Sequence, residues 1–372
     1  MKISPFKLER YFDKYEFSAP YLLSSSDCEP LKLNELLELA DGKSRSEWDA
    51  LTLGYTESKG DPAFRNEISK LYTSISPDDV LVLVPEEGIF IAMNVLLDKG
   101  DHVVSTFPGY QSLYQVAEDI GCKVSRWEPN ENLEFKIEDL KTLVTDNTQL
   151  IVINFPHNPT GALISENELK ELVAFAREKG ITIFSDEMYR FMEYDEKDRL
   201  PSVCDLYENA ISLFGLSKTF GLPGLRMGWL TTRNKKFMHD LITFKDYTTI
   251  CNNAPGEKLG TIALLNKDKL IQRSLNIIQA NLSLLDDFSQ RHKEWFLWKT
   301  PKAGSIAFPE LKIKGSVMDF CQNLVKEKGV MLLPHDVYDF SRSHVRVGFG
   351  RKTLPKVLEV FEQFVNENNP AK

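Results

Sequence analysis

Six short runs dense in valine, isoleucine and leucine, several of them separated by stretches of helical periodicity, constrain this chain most. They are Val80–Val84, His102–Thr106, Gln149–Asn154, Ile181–Ser185, Ala210–Phe214 and Arg226–Thr231. Runs this short and apolar fit strands covered on both faces. Between them, Ile89–Asp98 reads as a helix that stops at Gly100. Ser165–Lys179 reads as another, with Ser165 and Glu168 as a capping box and Gly180 as its stop. The alternation predicts βαβ units and a largely parallel sheet. Residues 268–296 read as a long helix. Ser316–Lys328, Val330–Leu333, Val345–Phe349 and a helix from Leu354 then read as a smaller α+β unit. The first 45 residues read as irregular. The expected division is an N-terminal segment 1–45, a large domain 46–283 and a small domain 284–372.

Charge and cysteine usage exclude several classes. Forty-five Lys+Arg against 54 Asp+Glu give a net charge of -9, a poor match to nucleic acid or an anionic membrane. The five cysteines are scattered with no CxxC, which argues against a disulfide framework or a zinc site. The six histidines show no metal spacing. The opening MKISPFKLERYFDKYEF lacks the apolar run of a signal peptide, and no stretch has the ~18 apolar residues of a membrane helix. The expectation is a soluble cytoplasmic protein. Gly42-Lys43-Ser44 ends like a phosphate-binding P-loop, but position 37 is leucine and no strand precedes it.

Four polar residues follow apolar runs at their C-terminal ends. Tyr110 comes after His102–Thr106, Asn158 after Gln149–Asn154, Asp186 after Ile181–Ser185, and Lys218 after Ala210–Phe214. Taken singly, an aspartate there caps a helix, an asparagine forms a turn, a tyrosine rims a core and a lysine is solvated. Together they mark the sheet edge at which open α/β proteins bind ligands.

The motifs GYTESKGDPAFR, FPGYQSLY, NFPHNPTG, SDEMY, SKTFGLPGLRMG and VRVGFG resemble those of the class I and II aminotransferases of fold type I, which use pyridoxal 5'-phosphate. The resemblance runs from about Tyr55 to Arg346. The gaps of 28 from Asn158 to Asp186, 8 from Lys218 to Arg226 and 128 from Lys218 to Arg346 are similar to those of the aspartate aminotransferases. It implies a large domain with a mostly parallel seven-stranded sheet between helices, and a smaller α+β domain.

The same resemblance implies roles. Lys218 would carry the cofactor covalently and, once freed, shuttle a proton between the substrate Cα and the cofactor. Asp186 would keep the pyridine nitrogen protonated, and Asn158 and Tyr189 would hydrogen-bond the ring's 3-oxygen. Tyr110 would stack on the ring. Ser217, Arg226, a Tyr55 donated by a second subunit, and the backbone N–H groups of Glu86 and Glu87 at a helix start would hold the phosphate. Arg346 would clamp the substrate α-carboxylate, beside Asn158. Cys28 would stand near the position where relatives have a glycine-containing segment beside the substrate, and there it either narrows the pocket or is simply a small buried residue. The implied partners are an amino acid and a 2-oxo acid, and the implied assembly is a homodimer.

The chain departs from that pattern in two places. Pro85-Glu86 stands at the phosphate-binding helix start, where relatives have a small residue then Ser or Thr, and Gly215 replaces a common serine donor. A carboxylate does not favour a nearby phosphate, so the Glu86 side chain is expected to point sideways, towards solvent or a cation. Two other outcomes remain open. One is different chemistry on the same cofactor, elimination or ring closure, since SDCEPL followed by LNELL is faintly similar to capreomycidine synthase-like members. The other is a regulator fused to a DNA-binding domain, for which roughly 54 residues before Tyr55 are too few.

Overall fold

The computed structural model describes residues 2–368, so Met1 and residues 369–372 of the expected end units lie outside it. Its centre is a seven-stranded sheet: β1 (Val80–Leu83), β2 (His102–Thr106), β3 (Lys123–Trp127), β4 (Thr148–Asn154), β5 (Thr182–Asp186), β6 (Ala210–Gly215) and β7 (Gly228–Thr231). The order across the sheet is β1-β7-β6-β5-β4-β2-β3. Only β7 runs against its neighbours, β1 and β6. β3 is absent from the sequence reading for a physical reason. It is an edge strand of sequence KVSRW, exposed at Lys123 and Arg126, so it lacks the double-sided apolar signature.

The central strands alternate sides, as the two-residue period requires. Leu150 and Val152 pack in one cluster with Ile89, Ala92 and Met93. Ile151 and Ile153 pack in another with Leu169, Leu172 and Val173. The helix carrying Ile89 starts at Pro85, four residues before the expected start, and ends at Leu96; the helix on the other face is Glu166–Lys179. Its capping box forms as expected, with Ser165 accepting from the Glu168 N–H.

The expected strand from Arg226 begins instead at Gly228, because Arg226 is in the left-handed region at φ 54°. The expected helix over 268–296 is Lys267–Arg291, unbroken across the expected boundary at 283/284. Beyond it, Val345–Gly348 pairs antiparallel with Ile306–Ala307 on one side and Leu333–Pro334 on the other.

The N-terminal segment is more ordered than its sequence suggests. Lys7–Tyr15, here α1, is helical, with Leu8 and Tyr11 buried. Tyr21–Leu22 pairs in parallel with Val330–Met331, binding the segment to the C-terminal unit. Two glycines of VRVGFG make that close passage possible. A Cβ on Gly348 would lie 1.9 Å from the Ser25 carbonyl oxygen, and one on Gly350 would lie 2.5 Å from that of Asp27. No helix among the described residues is long and apolar enough to cross a membrane.

Candidate active site

The C-terminal ends of β2, β4, β5 and β6 open into a cavity of about 370 Å3. Tyr110, Asn158, Asp186, Tyr189, Ser217 and Lys218 line it, together with Arg226, Arg346 and Glu86. Asp186 is the last residue of β5 and is 5% exposed. Burial pushes its carboxyl up to about 7, even though Oδ1 accepts the Met188 N–H at 3.0 Å. Asn154, at the end of β4, braces two of the others. Its Oδ1 accepts the Asn158 N–H at 2.8 Å and its amide donates to the Asp186 carbonyl at 2.9 Å.

Lys218 projects from the loop after β6 and donates to the Ser26 hydroxyl at 2.8 Å. Burial lowers its amine below the usual lysine range, opposed by the nearby Asp27 carboxylate. A lysine so shifted is a better nucleophile, because more of it is neutral. Arg346 is 1% exposed on the strand Val345–Gly348. It donates to the Ser24 carbonyl at 2.9 and 3.1 Å, to the Tyr338 hydroxyl at 2.8 Å and to Asn158 Oδ1 at 3.3 Å. These contacts fix the plane of the guanidinium before any ligand arrives.

The donor set fits pyridoxal phosphate. The Tyr189 hydroxyl is buried and has no partner, and it opens into the cavity beside Asn158. Asp186 offers a buried carboxylate to a ring nitrogen. The helix from Pro85 has no side-chain cap, so its first N–H groups are free for an anion, and Ser217 and Arg226 line the same cavity.

Pro85 and Gly215, both unusual for the pattern, are neighbours. A Cβ on Gly215 would stand 3.2 Å from the Pro85 ring, and one on Gly228, its register partner, 2.6 Å from it. The proline ring takes part of the space that a serine at 215 would need, the Gly228 Cα and Met227 carbonyl oxygen standing nearer still at 3.0 Å, so the two departures belong to one packing arrangement.

Three expected residues do not reach the cavity with their side chains in this chain. Cys28 is fully buried in the core. Ser25, Ser26 and Asp27 line the cavity instead, so of the two readings of Cys28 the small buried residue is the one that fits. Glu87 turns outward, where its carboxylate accepts from Thr248 and, at 2.7 Å, from the Thr249 hydroxyl. Tyr55 is 96% exposed and does not line the cavity of its own chain. The backbone role expected of Glu87 and the cross-subunit role expected of Tyr55 are untouched by this, whereas the Glu86 side chain departs from expectation. It turns neither to solvent nor to a paired cation. Half-buried in the cavity wall, it accepts from the Ser112 hydroxyl at 3.3 Å, and burial raises its carboxyl above the ordinary range.

Sequence reasoning missed Ser26, Asp27 and the cavity-facing side of α1. Asp27 is tied to Arg351 at 2.8 Å. Leu8, Tyr11, Phe12 and Tyr15 have the i, i+3, i+4, i+7 spacing that signals an amphipathic helix, so α1 was detectable.

Comparison with known proteins places this geometry. Residues 34–362 match the family model described as aminotransferase class I and II. A capreomycidine synthase of Streptomyces vinaceus is similar at 27% identity over 347 residues, spanning 92% of this chain and 88% of that protein. An aspartate aminotransferase of Sulfolobus acidocaldarius is similar at 27% over 337 residues, spanning 84% and 82%. The crystal structure of a PLP-dependent aminotransferase from Streptococcus suis superposes with a TM-score of 0.92 at 31% identity, covering 99% of each chain.

Proposed function

The chain belongs to the class I and II aminotransferase family, with pyridoxal phosphate as its cofactor, and from that premise we propose that it exchanges an amino group between an L-amino acid and a 2-oxo acid. What supports the reading most is one observation: Lys218, half-buried, and Asp186 and Arg346, both buried, line a single cavity. Pyridoxal phosphate, when bound, supplies an electron sink for the pair left at the substrate Cα.

The chain's own residues do the rest. Asp186 holds a proton at the pyridine nitrogen. Lys218 carries the cofactor and, when free, takes the proton from Cα as a neutral amine. Arg346 orients the α-carboxylate through a guanidinium already fixed by Ser24 and Tyr338. Asn158 and Tyr189 would donate to the cofactor's 3-oxygen, and Tyr110 would pack against its ring. Ser217, Arg226 and the N–H groups of Glu86 and Glu87 would hold the phosphate. Leu8 and Phe12 of α1 shield the cavity from water.

A homodimer is part of this reading. Leu53, Tyr55 and Tyr247 are 84, 96 and 89% exposed, on segments joined by the Thr56 hydroxyl donating to the Asn252 carbonyl. An apolar surface of this kind suits a second copy, which would bring its Tyr55 to the phosphate. An active monomer in sedimentation at assay concentration would refute this part.

The deciding experiment is a half-reaction. An amino acid added alone should convert the cofactor once from its aldehyde to its amine form, with one equivalent of 2-oxo acid released. Restoration should then require a 2-oxo acid. Similarity to a capreomycidine synthase supports a second reading, elimination or ring closure on the same cofactor. Repeated turnover with no oxo acid present would establish that reading and refute the first.

A further inference from the structure

One side of α1 brings two carboxylates to the cavity. Leu8, Glu9, Phe12 and Glu16 are spaced so that they share a face of the helix and its cap, and all four line the cavity. The Phe12 ring lies 5.6 Å from the guanidinium carbon of Arg346, so α1 crosses over the group assigned to the α-carboxylate. Glu9 and Glu16 flank Phe12 about one turn away on either side, separated by roughly 10 Å at 1.5 Å rise per residue.

Neither carboxylate has a basic partner. Among the described residues, no lysine or arginine nitrogen comes within 4.0 Å of Glu9 or Glu16. Glu9 has only the Tyr110 hydroxyl, at 3.5 Å. Asp27, on the Glu16 side, is already committed to Arg351. Burial, with the Asp27 and Glu9 carboxylates nearby, pushes the Glu16 carboxyl above its ordinary range, opposed by the more distant charges of Arg351 and Lys218. Both acids share one cavity with Arg346, whose guanidinium, fixed by Ser24 and Tyr338, sets the end at which an amino acid's α-carboxylate sits.

We propose that the amino acid accepted here carries a second cationic group, an ammonium or guanidinium at the end of its side chain, held between Glu9 and Glu16. This deepens the amino-acid reading above and rests on it. The substrate's α-carboxylate faces Arg346, and its distal cation faces the acidic side of α1. An acidic side chain in that place would meet two like charges. An apolar one would cover two carboxylates and leave them without a counter-ion, at a cost that rises with burial. A guanidinium satisfies a carboxylate with two parallel hydrogen bonds, an ammonium with one strong one.

The test is a binding ranking on the purified holoenzyme, by calorimetry and by titration of cofactor absorbance. L-lysine, L-ornithine and L-arginine are compared with L-aspartate, L-glutamate, L-leucine and L-phenylalanine. At least one cationic amino acid should bind about tenfold or more tightly than every acidic and neutral one. Glu9→Gln and Glu16→Gln should each lower the ratio of cationic to neutral affinity by about tenfold, and Glu16→Asp should retain part of it. Tighter binding of an acidic or neutral amino acid by the unmodified enzyme overturns the assignment, whatever the variants do. So does an unchanged ratio in both glutamine variants. Release of 2-oxo acid, followed in the same samples, separates this assignment from the one it rests on. Cationic amino acids that bind tightly and yield no oxo acid refute transamination and leave the substrate class standing. Oxo acid formed preferentially from acidic or neutral amino acids overturns the substrate class and leaves transamination standing.

Discussion

Replacing Asp186 by asparagine tests the centre of the mechanism. The side chains are nearly equal in volume, and the Met188 N–H can still be accepted by the amide oxygen, so the fold should survive. The chemistry should not. Burial, only partly offset by the Met188 N–H and Lys218, raises the Asp186 carboxyl from 3.8 to about 7, a net cost of ionisation of about 4 kcal/mol at ~1.4 kcal/mol per tenfold change in proton affinity. A protonated ring nitrogen beside the carboxylate recovers an interaction of that order, and an amide recovers little of it. If the whole amount is expressed at the transition state for Cα proton removal, the rate falls about a thousandfold. The assay is a stopped-flow half-reaction with a saturating amino acid. Circular dichroism and cofactor content establish that the variant is folded and loaded. A variant retaining more than a tenth of the normal rate would refute the pairing of Asp186 with the pyridine nitrogen.

Three further outcomes follow from the same site. Borohydride reduction of the holoenzyme should leave the pyridoxyl group on the peptide carrying Lys218, and a label on any other lysine refutes that attachment. Glu86→Thr should hold or improve cofactor affinity, because it removes a half-buried carboxylate from the phosphate side of the cavity; tenfold weaker binding by equilibrium dialysis would show that the carboxylate has a positive role there. The cofactor-free protein should lose stability as pH rises between about 3.8 and 7. Below that window Asp186 is protonated in both states, and within it the unfolded chain gives up a proton that the folded protein keeps. Chemical denaturation of wild type against Asp186→Asn should show a difference that declines by about 4 kcal/mol across the window, and a flat difference refutes the raised carboxyl.

The sheet and its ligand edge were legible because each of β2, β4, β5 and β6 is an apolar run with a polar residue placed just past its end. β3 was not, since an edge strand with two exposed basic residues carries no such mark. Arg226 was assigned to a strand because RMGWLT is apolar, whereas its backbone turns left-handed before the ladder begins. The Pro85 and Gly215 departures could each be seen, but their contact could not, because 130 residues separate them in the chain and only the pairing of both β1 and β6 with β7 unites them. The acids of α1 lay hidden because the first 45 residues read as irregular. Their inward turn depends on the helix packing over Arg346, which no local pattern reveals.

The passage of residues 21–29 beside the C-terminal strands also sets the order in which this protein can mature. Ser24, which accepts two hydrogen bonds from Arg346, leaves the ribosome 322 residues ahead of it. At about 5–20 residues per second that is a wait of roughly 15–60 s. Throughout that interval Leu23 and Cys28, both fully buried in the finished protein, have no wall to pack against. The central strands can pair meanwhile, since their partners are closer in sequence. The cavity wall that faces the substrate is the last part to assemble, and a nascent chain stalled before Val345 lacks the arginine, the strand that carries it and the glycines that let the N-terminal segment pass.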